Sequence, residues 1–423
     1  MGMKVRFLQH VLLPVLLLCL MACGGNNSAV NSGGAGLLFV TAQANTTVSA
    51  FVVNLTNGAL TANGNSVGTG AVPSAIAITP TIDTLFVANS GANSISAYTI
   101  DSFGGLTAAS GTTNTGTTPV GLAIDPGGKF LFVANQGSSS VSVFSINGTT
   151  LTAAPGSPFT TIPVGFSYPN GTLPTAVAVS NSGNFLYVAN QLANFVSAFA
   201  INSTSGALTP LGVPFYSEPL GTSPSGLGIQ PNGGFLYVMN AGANSNNISV
   251  FAICDNVLTS CTNPNNPDGT LTEIAGSPFP AGLGPVAITF DPNFIFAYVV
   301  DKGSNTVSQY SYGTGNGVLT PLSPATISTG LTPVSIALRV GATGTNIGNT
   351  TTNPTDWVYV ANSGAGTISI YTLSTTTGFW TSPACPSLPS GKPQLLPRGD
   401  ALERARVYSC RKAENNVWTL ALR

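Results

Sequence analysis

The stretch "LFVANSGANSISAYTI", residues 85–100, determines how the rest of the chain is interpreted. It has two apolar strand patterns on either side of a tight turn, and it returns as "LFVANQGSSSVSVFSI" from residue 131 and "LYVANQLANFVSAFAI" from residue 186. Aligned on the valine of this phrase, the chain contains seven copies, at Val40, Val87, Val133, Val188, Val238, Val299 and Val360. Repetition at this period predicts a fold in which each unit buries the face of its neighbour.

Two more strand patterns complete each copy. A "G-x-L-T" segment or a close relative follows the phrase, at Leu60, Leu106, Leu151, Leu208, Leu271 and Leu319, with Trp380 in the last copy. A proline-led run of small and branched residues, such as "PSAIAI" from residue 73, occurs six times. Four short strands per copy predict an all-β, seven-bladed β-propeller of four-stranded antiparallel blades over residues 37–383. A parallel β-helix is the structural alternative, but its rungs have about half this period.

The first copy lacks a proline-led inner strand of its own, so the ring needs another segment to close it. The last residues, "VWTLALR" from 417 to 423, match the inner strand "PVSIALR" from 333 to 339. We therefore expect residues 417–423 to pair with the strand around Leu38 to Val40 and to close the ring. The alternative is that everything after residue 383 is out of frame, because the composition changes abruptly in the basic tail 384–423.

The first 22 residues have the pattern of a secretion signal. Lys4 and Arg6 precede an apolar run from Val11 to Met21, which is shorter than the ~20 residues that a membrane-spanning helix needs. "LMAC", residues 20–23, resembles the bacterial lipobox, in which the cysteine, here Cys23, is acylated. We expect residues 1–22 to be a signal peptide and residues 23–36 to be a lipidated cysteine with a flexible tether. The alternative is that the apolar run is a lone anchor helix. By resemblance to lipoprotein sorting, Gly24 directly after Cys23 favours localisation at the outer membrane.

Four cysteines remain in the body and tail for an oxidising compartment. Cys254 and Cys261 flank one short loop and are predicted to form a disulfide. Cys385 and Cys410 form a weaker candidate pair.

Charged residues make up 6% of the chain and are unevenly distributed. Residues 24–391 carry three basic and ten acidic residues, whereas residues 392–423 carry seven basic and three acidic residues. A body this poor in lysine and arginine excludes a nucleic-acid partner. The basic tail would suit anionic lipid or polysaccharide, although a solvated tail is favoured.

The repeats "LYVAN", "VSAF" and "G-x-L-T", each followed by a proline-led strand, resemble the YVTN-type repeats of surface propellers. They also resemble the seven-bladed lactonase family that includes a 6-phosphogluconolactonase. The resemblance covers about residues 37–383 and implies the propeller fold. Related lactonising enzymes use His, Arg and Glu side chains in the channel, but the only histidine in this chain is His10, within the predicted signal. No catalytic residue of the family therefore transfers by position.

Six of the seven second strands end in a carboxamide or carboxylate residue, at Asn89, Asn135, Asn190, Asn240, Asp301 and Asn362. Such a ring would suit sugar hydroxyls, but side chains that close their own turns are the favoured interpretation. Blade 6 departs from the pattern with Asp301 beside Lys302, and Glu218 is expected on the same face. These three residues form the predicted ligand pocket, with a solvated rim as the alternative. Lys302 is expected to keep the pKa of Asp301 low.

No histidine or cysteine spacing predicts a metal site, and no motif predicts a cofactor. Two functional classes remain. The first is a membrane-anchored propeller at the bacterial cell envelope, a monomer that binds a glycan, a peptide or an envelope protein. The second is a lactone hydrolase of the 6-phosphogluconolactonase-like propeller family. The absence of histidine from the body and its shortage of bases favour the first class.

Overall fold

The computed structural model describes residues 18–21, 36–54, 57–163, 165–212, 215–216, 222–254, 268–291, 295–339, 356–374, 377–381, 409–412 and 418–421. These residues form seven antiparallel sheets, and the described part of the chain contains no helix. Each sheet is one blade, so the predicted seven-bladed β-propeller is confirmed. From the centre outward, we call the strands of a blade inner, second, third and outer.

The first three blades each contain five strands that follow one another along the chain. Blade 1 contains β1 (Leu18–Met21), β2 (Gly36–Ala42), β3 (Thr47–Val53), β4 (Leu60–Ala62) and β5 (Val67–Gly68). Blade 2 contains β6 (Pro73–Ile78), β7 (Thr84–Asn89), β8 (Ser94–Ile100), β9 (Leu106–Ala108) and β10 (Thr113–Asn114). Blade 3 contains β11 (Pro119–Ile124), β12 (Phe130–Asn135), β13 (Ser140–Asn147), β14 (Thr150–Ala153) and β15 (Phe159–Thr160).

The remaining four blades repeat this order, with two additions at the end of the chain. Blade 4 contains β16 (Pro174–Val179), β17 (Phe185–Asn190), β18 (Phe195–Ile201), β19 (Leu208–Pro210) and β20 (Phe215–Tyr216). Blade 5 contains β21 (Pro224–Ile229), β22 (Phe235–Asn240), β23 (Asn247–Ile253), β24 (Leu271–Glu273) and β25 (Phe279–Pro280). Blade 6 contains β26 (Pro285–Phe290), β27 (Phe296–Asp301), β28 (Thr306–Tyr312) and β29 (Leu319–Ser328). Blade 7 contains β30 (Pro333–Arg339), β31 (Asp356–Asn362), β32 (Thr367–Leu373), β33 (Trp380–Thr381), β34 (Ser409–Lys412) and β35 (Trp418–Ala421).

The hydrophobic core is divided among the seven junctions between neighbouring blades, each with its own cluster of buried side chains. Alternate residues of a second strand point to opposite junctions. Phe39 packs against blade 2, for example, whereas Leu38 and Val40 pack against Tyr359 of blade 7. This confirms that the strands are apolar on both faces because a neighbouring blade covers each face. The junction between blades 7 and 1 closes the ring by side-chain packing.

A repeated contact between an aromatic ring and a glycine holds the blades in register. Gly58 has φ of 70°, and a Cβ placed there would lie against the indole of Trp357 from the preceding blade. The hydroxyl of Tyr359 donates a hydrogen bond of 3.0 Å to the carbonyl of the same glycine. The equivalent tyrosines of blades 4, 5 and 6 donate to glycine carbonyls of the following blades at the same distance. The last and first blades are therefore joined by the same contact as the blades between them.

The prediction that the C-terminal strand pairs with the strand around Leu38 to Val40 is wrong. β35 pairs with Thr367–Ser369 at the outer edge of blade 7, and β1 is the inner strand of blade 1. In blades 1 to 5 a two-residue segment such as β5 covers the corresponding edge of the third strand. Among the described residues that follow β32, β33 covers Thr372 and Leu373 and β35 pairs with Thr367–Ser369, so β35 fills the place that this segment takes elsewhere. An apolar strand pattern does not distinguish the two open edges.

Candidate functional site

The loops of the propeller lie on two faces. Loops that join second to third strands, and those that lead from one blade to the next inner strand, lie on what we call the first face. Loops that join inner to second and third to outer strands lie on the second face. This assignment follows from the antiparallel pairing within each blade. The candidate residues of the sequence, Asp301 and Lys302, are both at the first face.

The asparagines that end the second strands are inaccessible, with 0% exposure in all five cases. Each donates a hydrogen bond of 2.9–3.0 Å from Nδ2 to a serine hydroxyl of the third strand, from Asn89 to Ser96, Asn135 to Ser142, Asn190 to Ser197, Asn240 to Ser249 and Asn362 to Ser369. The amides therefore tie the second strand to the third strand of the same blade. They are not available to sugar hydroxyls, and they hold two strands together rather than close the turn between them.

Asp301 takes the asparagine position in blade 6 with reversed hydrogen bonding. Its Oδ2 accepts bonds from the hydroxyls of Ser308 at 2.7 Å and Thr306 at 3.2 Å, and its Oδ1 is buried without a hydrogen-bond partner. Because the side chain is 0% exposed, burial raises the pKa of Asp301 to about 6. The expectation that Lys302 keeps this pKa low is wrong, since Lys302 is exposed whereas the carboxyl is buried under the loop at Gly282.

The other predicted site residues lie at or beyond the edge of the described structure. Glu218, Cys23 and Cys261 are outside the described residues, so the pocket of Glu218, Asp301 and Lys302 stays a prediction. Cys254 is buried and disulfide-bonded, while its pairing with Cys261 also falls outside the described residues. The residues on which the pocket depends are thus divided by accessibility, with Asp301 enclosed and Lys302 in solvent.

The first face carries an apolar surface that the sequence patterns did not single out. Seven large hydrophobic side chains of the described structure are exposed, and five of them are on this face: Val72, Phe166, Leu192, Leu283 and Leu331. Leu283 and Leu331 are the most open of the five, with 57% and 60% of their surface exposed. For Val72, Leu283 and Leu331 the available signal was an apolar residue one or two positions before the proline that begins an inner strand. We call these five residues the first-face collar.

The loops that lead into the inner strands, which carry Val72, Leu283 and Leu331, have a fixed conformation. The residue before each inner-strand proline has positive φ, with 55° at Val72 and 53° at Thr332. Its backbone N–H donates to an asparagine of the preceding blade in four junctions, at 2.7–2.8 Å. Those asparagines themselves have positive φ, a conformation that asparagine tolerates better than most residues. The loop therefore presents its side chains from a backbone fixed by the neighbouring blade.

The second face has a shallow cavity of about 170 Å³ between blades 3 and 4, lined in part by Asp125, Lys129 and Ser182. Asp125 is engaged by its own turn, where Oδ2 accepts a bond of 3.0 Å from the Gly127 N–H. The cavity is smaller than the ~300 Å³ of an ordinary ligand pocket. Across the described residues there is no group of three or more metal-ligating side chains. Nor does that part of the chain hold a helix long and apolar enough to cross a membrane.

Comparisons with known proteins agree with the architecture. The family model described as "Lactonase, 7-bladed beta-propeller" matches residues 66–155, 154–263 and 254–384. A candidate 6-phosphogluconolactonase from Bacteroides uniformis superposes with a TM-score of 0.60 at 20% identity, covering 74% of this chain and 86% of its own. The periplasmic gluconolactonase of Pseudomonas aeruginosa gives 0.58 at 17% identity, with 86% and 94% coverage.

The fold also occurs in a protein of different chemistry. Hydrazine synthase of Kuenenia stuttgartiensis superposes with a TM-score of 0.57 at 17% identity, covering 88% of this chain and 99% of its own. Identities this low establish the fold and not a shared activity. No curated protein sequence matches the chain. The family match, by contrast, spans most of the body, and the chain belongs to the seven-bladed β-propeller lactonase family.

Proposed function

We propose that this protein is a lipid-anchored β-propeller of the bacterial cell envelope that binds a partner molecule through its first face. The observation that carries the proposal is the collar, because five of the seven exposed large hydrophobic side chains of the described structure share that face. Large apolar side chains gathered on one exposed face favour an interaction role for that face. The loops that carry Leu283 and Leu331 are fixed by hydrogen bonds between blades, which lowers the entropy cost of binding.

The chain path is consistent with an anchor on the opposite side. β2 begins at the second face, because it runs antiparallel to β3 and ends beside the hairpin turn at the first face. Cleavage before Cys23 would remove β1, so residues 23–35 would join the body only through β2, at the second face. Thirteen residues rich in glycine and serine, such as residues 23–35, would have a root-mean-square length of about 20 Å as a random coil. An anchor at Cys23 would hold the second face toward the membrane and leave the first face directed away from it.

Anchoring is tested by labelling cells that express the protein with an alkyne fatty acid. We expect the label on the wild type and on Cys19→Ser, but not on Cys23→Ser. Cys19 is the matched control because it lies four residues away in the same apolar segment. Equal labelling of Cys23→Ser, or an unlabelled wild type in the membrane fraction of a lipoprotein-competent host, would contradict the anchor.

The second candidate function is lactone hydrolysis, which family membership favours. Opening a lactone needs a positioned base and donors for the developing oxyanion. Asp301 is enclosed by Ser308 and Thr306, a poor position from which to reach a substrate. We expect the purified protein to hydrolyse 6-phosphogluconolactone no faster than buffer does, as followed by proton release at pH 7. Turnover well above buffer that survives Asp301→Asn and Lys302→Ala would favour the hydrolase instead.

A further inference from the structure

Two leucines of the collar flank a hairpin that carries an exposed lysine. We call Leu283, Lys302 and Leu331 the first-face patch. The Lys302 N–H donates to the Gly284 carbonyl at 2.9 Å, and the next N–H donates to the Leu283 carbonyl at 2.7 Å. On the other side of the same hairpin, Asn305 accepts a bond of 2.7 Å from the Thr332 N–H, one residue after Leu331. The two leucines therefore flank the hairpin turn that begins at Lys302.

The backbone that carries the patch is fixed by a buried side chain and by hydrogen bonds to neighbouring strands and blades. Asp301, one residue before Lys302, is fully buried and bonded to the third strand. Gly284 and Thr332 follow the two leucines directly and have φ of 62° and 53°. The Gly364 N–H binds the Leu331 carbonyl at 3.1 Å, which fixes the second leucine to blade 7 as well. A partner would therefore meet apolar side chains that stand on an ordered backbone.

The charges of the two faces differ in sign and number. Among the described side chains, Lys302 is the single exposed charge of the first face. On the second face, Asp83, Asp101 and Asp268 are exposed together with Lys129. A ligand for the first face therefore meets a positive charge between two leucines, and no exposed acid of the described residues opposes it. The complementary chemistry is a carboxylate with apolar groups on both sides.

We propose that the first-face patch docks a short peptide segment of another envelope protein, in which an acidic residue lies between apolar residues. The carboxylate pairs with the Lys302 ammonium, and the apolar side chains cover Leu283 and Leu331. A peptide is favoured over a bilayer because the segment that contains Cys23 leaves from the second face. The proposal rests on the proposed function in this respect, since the anchor sets which face is directed outward.

The test measures fluorescence polarisation of two labelled peptides with the full-length protein in detergent. The probe has the sequence Leu-Leu-Asp-Leu-Leu, and its partner replaces the aspartate with asparagine. We expect saturable binding of the probe and about threefold weaker binding of the asparagine peptide, since a partly exposed ion pair contributes little. Lys302→Gln should weaken binding of the probe by about the same factor and remove the salt dependence of that binding. Leu331→Asn and Leu283→Asn should each weaken it about tenfold, because each removes buried apolar area.

Matched controls are on the second face. Lys129→Gln changes an exposed lysine, and Phe103→Ser changes an apolar side chain that is 73% exposed. Both variants should bind the probe within twofold of wild type. Unaltered thermal unfolding of each variant establishes that the fold is intact. Absence of saturable binding, or equal loss in the controls, overturns the proposal.

Two other occupants give distinct results. Self-association in sedimentation velocity that Leu331→Asn abolishes would identify the patch as an interface between copies. Flotation of Cys23→Ser with protein-free phosphatidylglycerol vesicles, lost in Leu331→Asn, would identify a lipid surface. Either outcome overturns the peptide proposal. Fatty-acid labelling at Cys23 is independent of all these measurements, so failure of the docking site and failure of the anchor can be told apart.

Discussion

Asp301 is a buried carboxylate at the end of the second strand of blade 6, and its burial opposes ionisation. Five other blades have an asparagine at the same position, and its Nδ2 donates to a serine hydroxyl. An ionised aspartate has no proton to donate, so Ser308 must donate to it instead. Protonation of Asp301 would restore a donor in blade 6. The position therefore suits a neutral side chain better than a charged one.

Asp301→Asn should stabilise the protein at neutral pH and have little effect near pH 4. The folded-state pKa of about 6 exceeds the ordinary 3.8, so the folded protein binds more protons than the unfolded chain between these values. The free energy of unfolding therefore falls as the pH rises from about 3.8 to about 6, and the loss persists at higher pH. We expect the variant to gain about 2–3 kcal/mol at pH 7.5, from about two pKa units at 1.4 kcal/mol each.

The measurement is urea unfolding of wild type and variant at pH 4 and pH 7.5. The reciprocal change, Asn362→Asp, places a carboxyl against Thr367 and Ser369 in blade 7 and should lose stability at pH 7.5. If the free energies of unfolding of wild type and Asp301→Asn differed by the same amount at both pH values, the raised pKa of Asp301 would be contradicted. The sequence identified Asp301 as an exception to the repeat. It could not give the sign of the pKa shift, because burial depends on the loop of the preceding blade.

At the scale of elements, the strands followed the repeat closely. The inner strand of blade 2 begins at the predicted Pro73, and its second strand ends at Asn89, where the phrase "LFVAN" ends. Two-residue strands such as β5 and β10 were not predicted, because no periodicity is visible over two residues. They are defined only by pairing with the start of the third strand, as Thr47 pairs with Gly68. The wrong placement of β35 came from assigning residues 18–21 to the leader, which left blade 1 without an inner strand in the sequence.

The turn that joins two blades depends on an asparagine side chain that acts in place of a backbone carbonyl. Asn305→Ala should lower the free energy of unfolding by about 2–3 kcal/mol, the sum of a lost hydrogen bond to Thr332 and the cost of alanine at positive φ. Asn305→Asp keeps both the acceptor and the tolerance of positive φ, so it should stay within about 0.5 kcal/mol. Chemical unfolding of both variants checks the prediction. Equal losses would mean that the side chain does not act as the acceptor.

For the whole molecule, the sequence predicted the number of blades but not how the ring is closed. Seven copies of one phrase set the number, and burial of both faces of every second strand confirms it. Closure depends on contacts of single residues at the junction of blades 7 and 1, such as Tyr359 with Gly58. These two residues are 301 positions apart, and no pattern within one repeat identifies such a pair.

Gly58→Ala should open the ring more readily than an equivalent change away from the junction. A Cβ at Gly58, where φ is 70°, would overlap the Trp357 ring. Gly64 has a similar φ of 75°, but a Cβ there would have no atom within 4 Å. Gly64→Ala measures the backbone cost alone, about 1 kcal/mol. We expect Gly58→Ala to cost about 3 kcal/mol or more, because overpacking adds to that strain. Thermal unfolding of the pair checks this, and equal melting temperatures would contradict the junction as the point of closure.

The position of β1 in blade 1 has a consequence for the order of events during export. Leu18–Met21 pairs with Phe39–Ala42 and ends two residues before Cys23, the proposed processing point. A peptidase needs an extended, unpaired stretch of substrate, whereas this stretch is hydrogen-bonded along the second strand. A chain that folds first would therefore protect its own leader from cleavage. Processing therefore requires that the peptidase cleaves before β1 pairs with β2, and a processed chain leaves blade 1 without this inner strand.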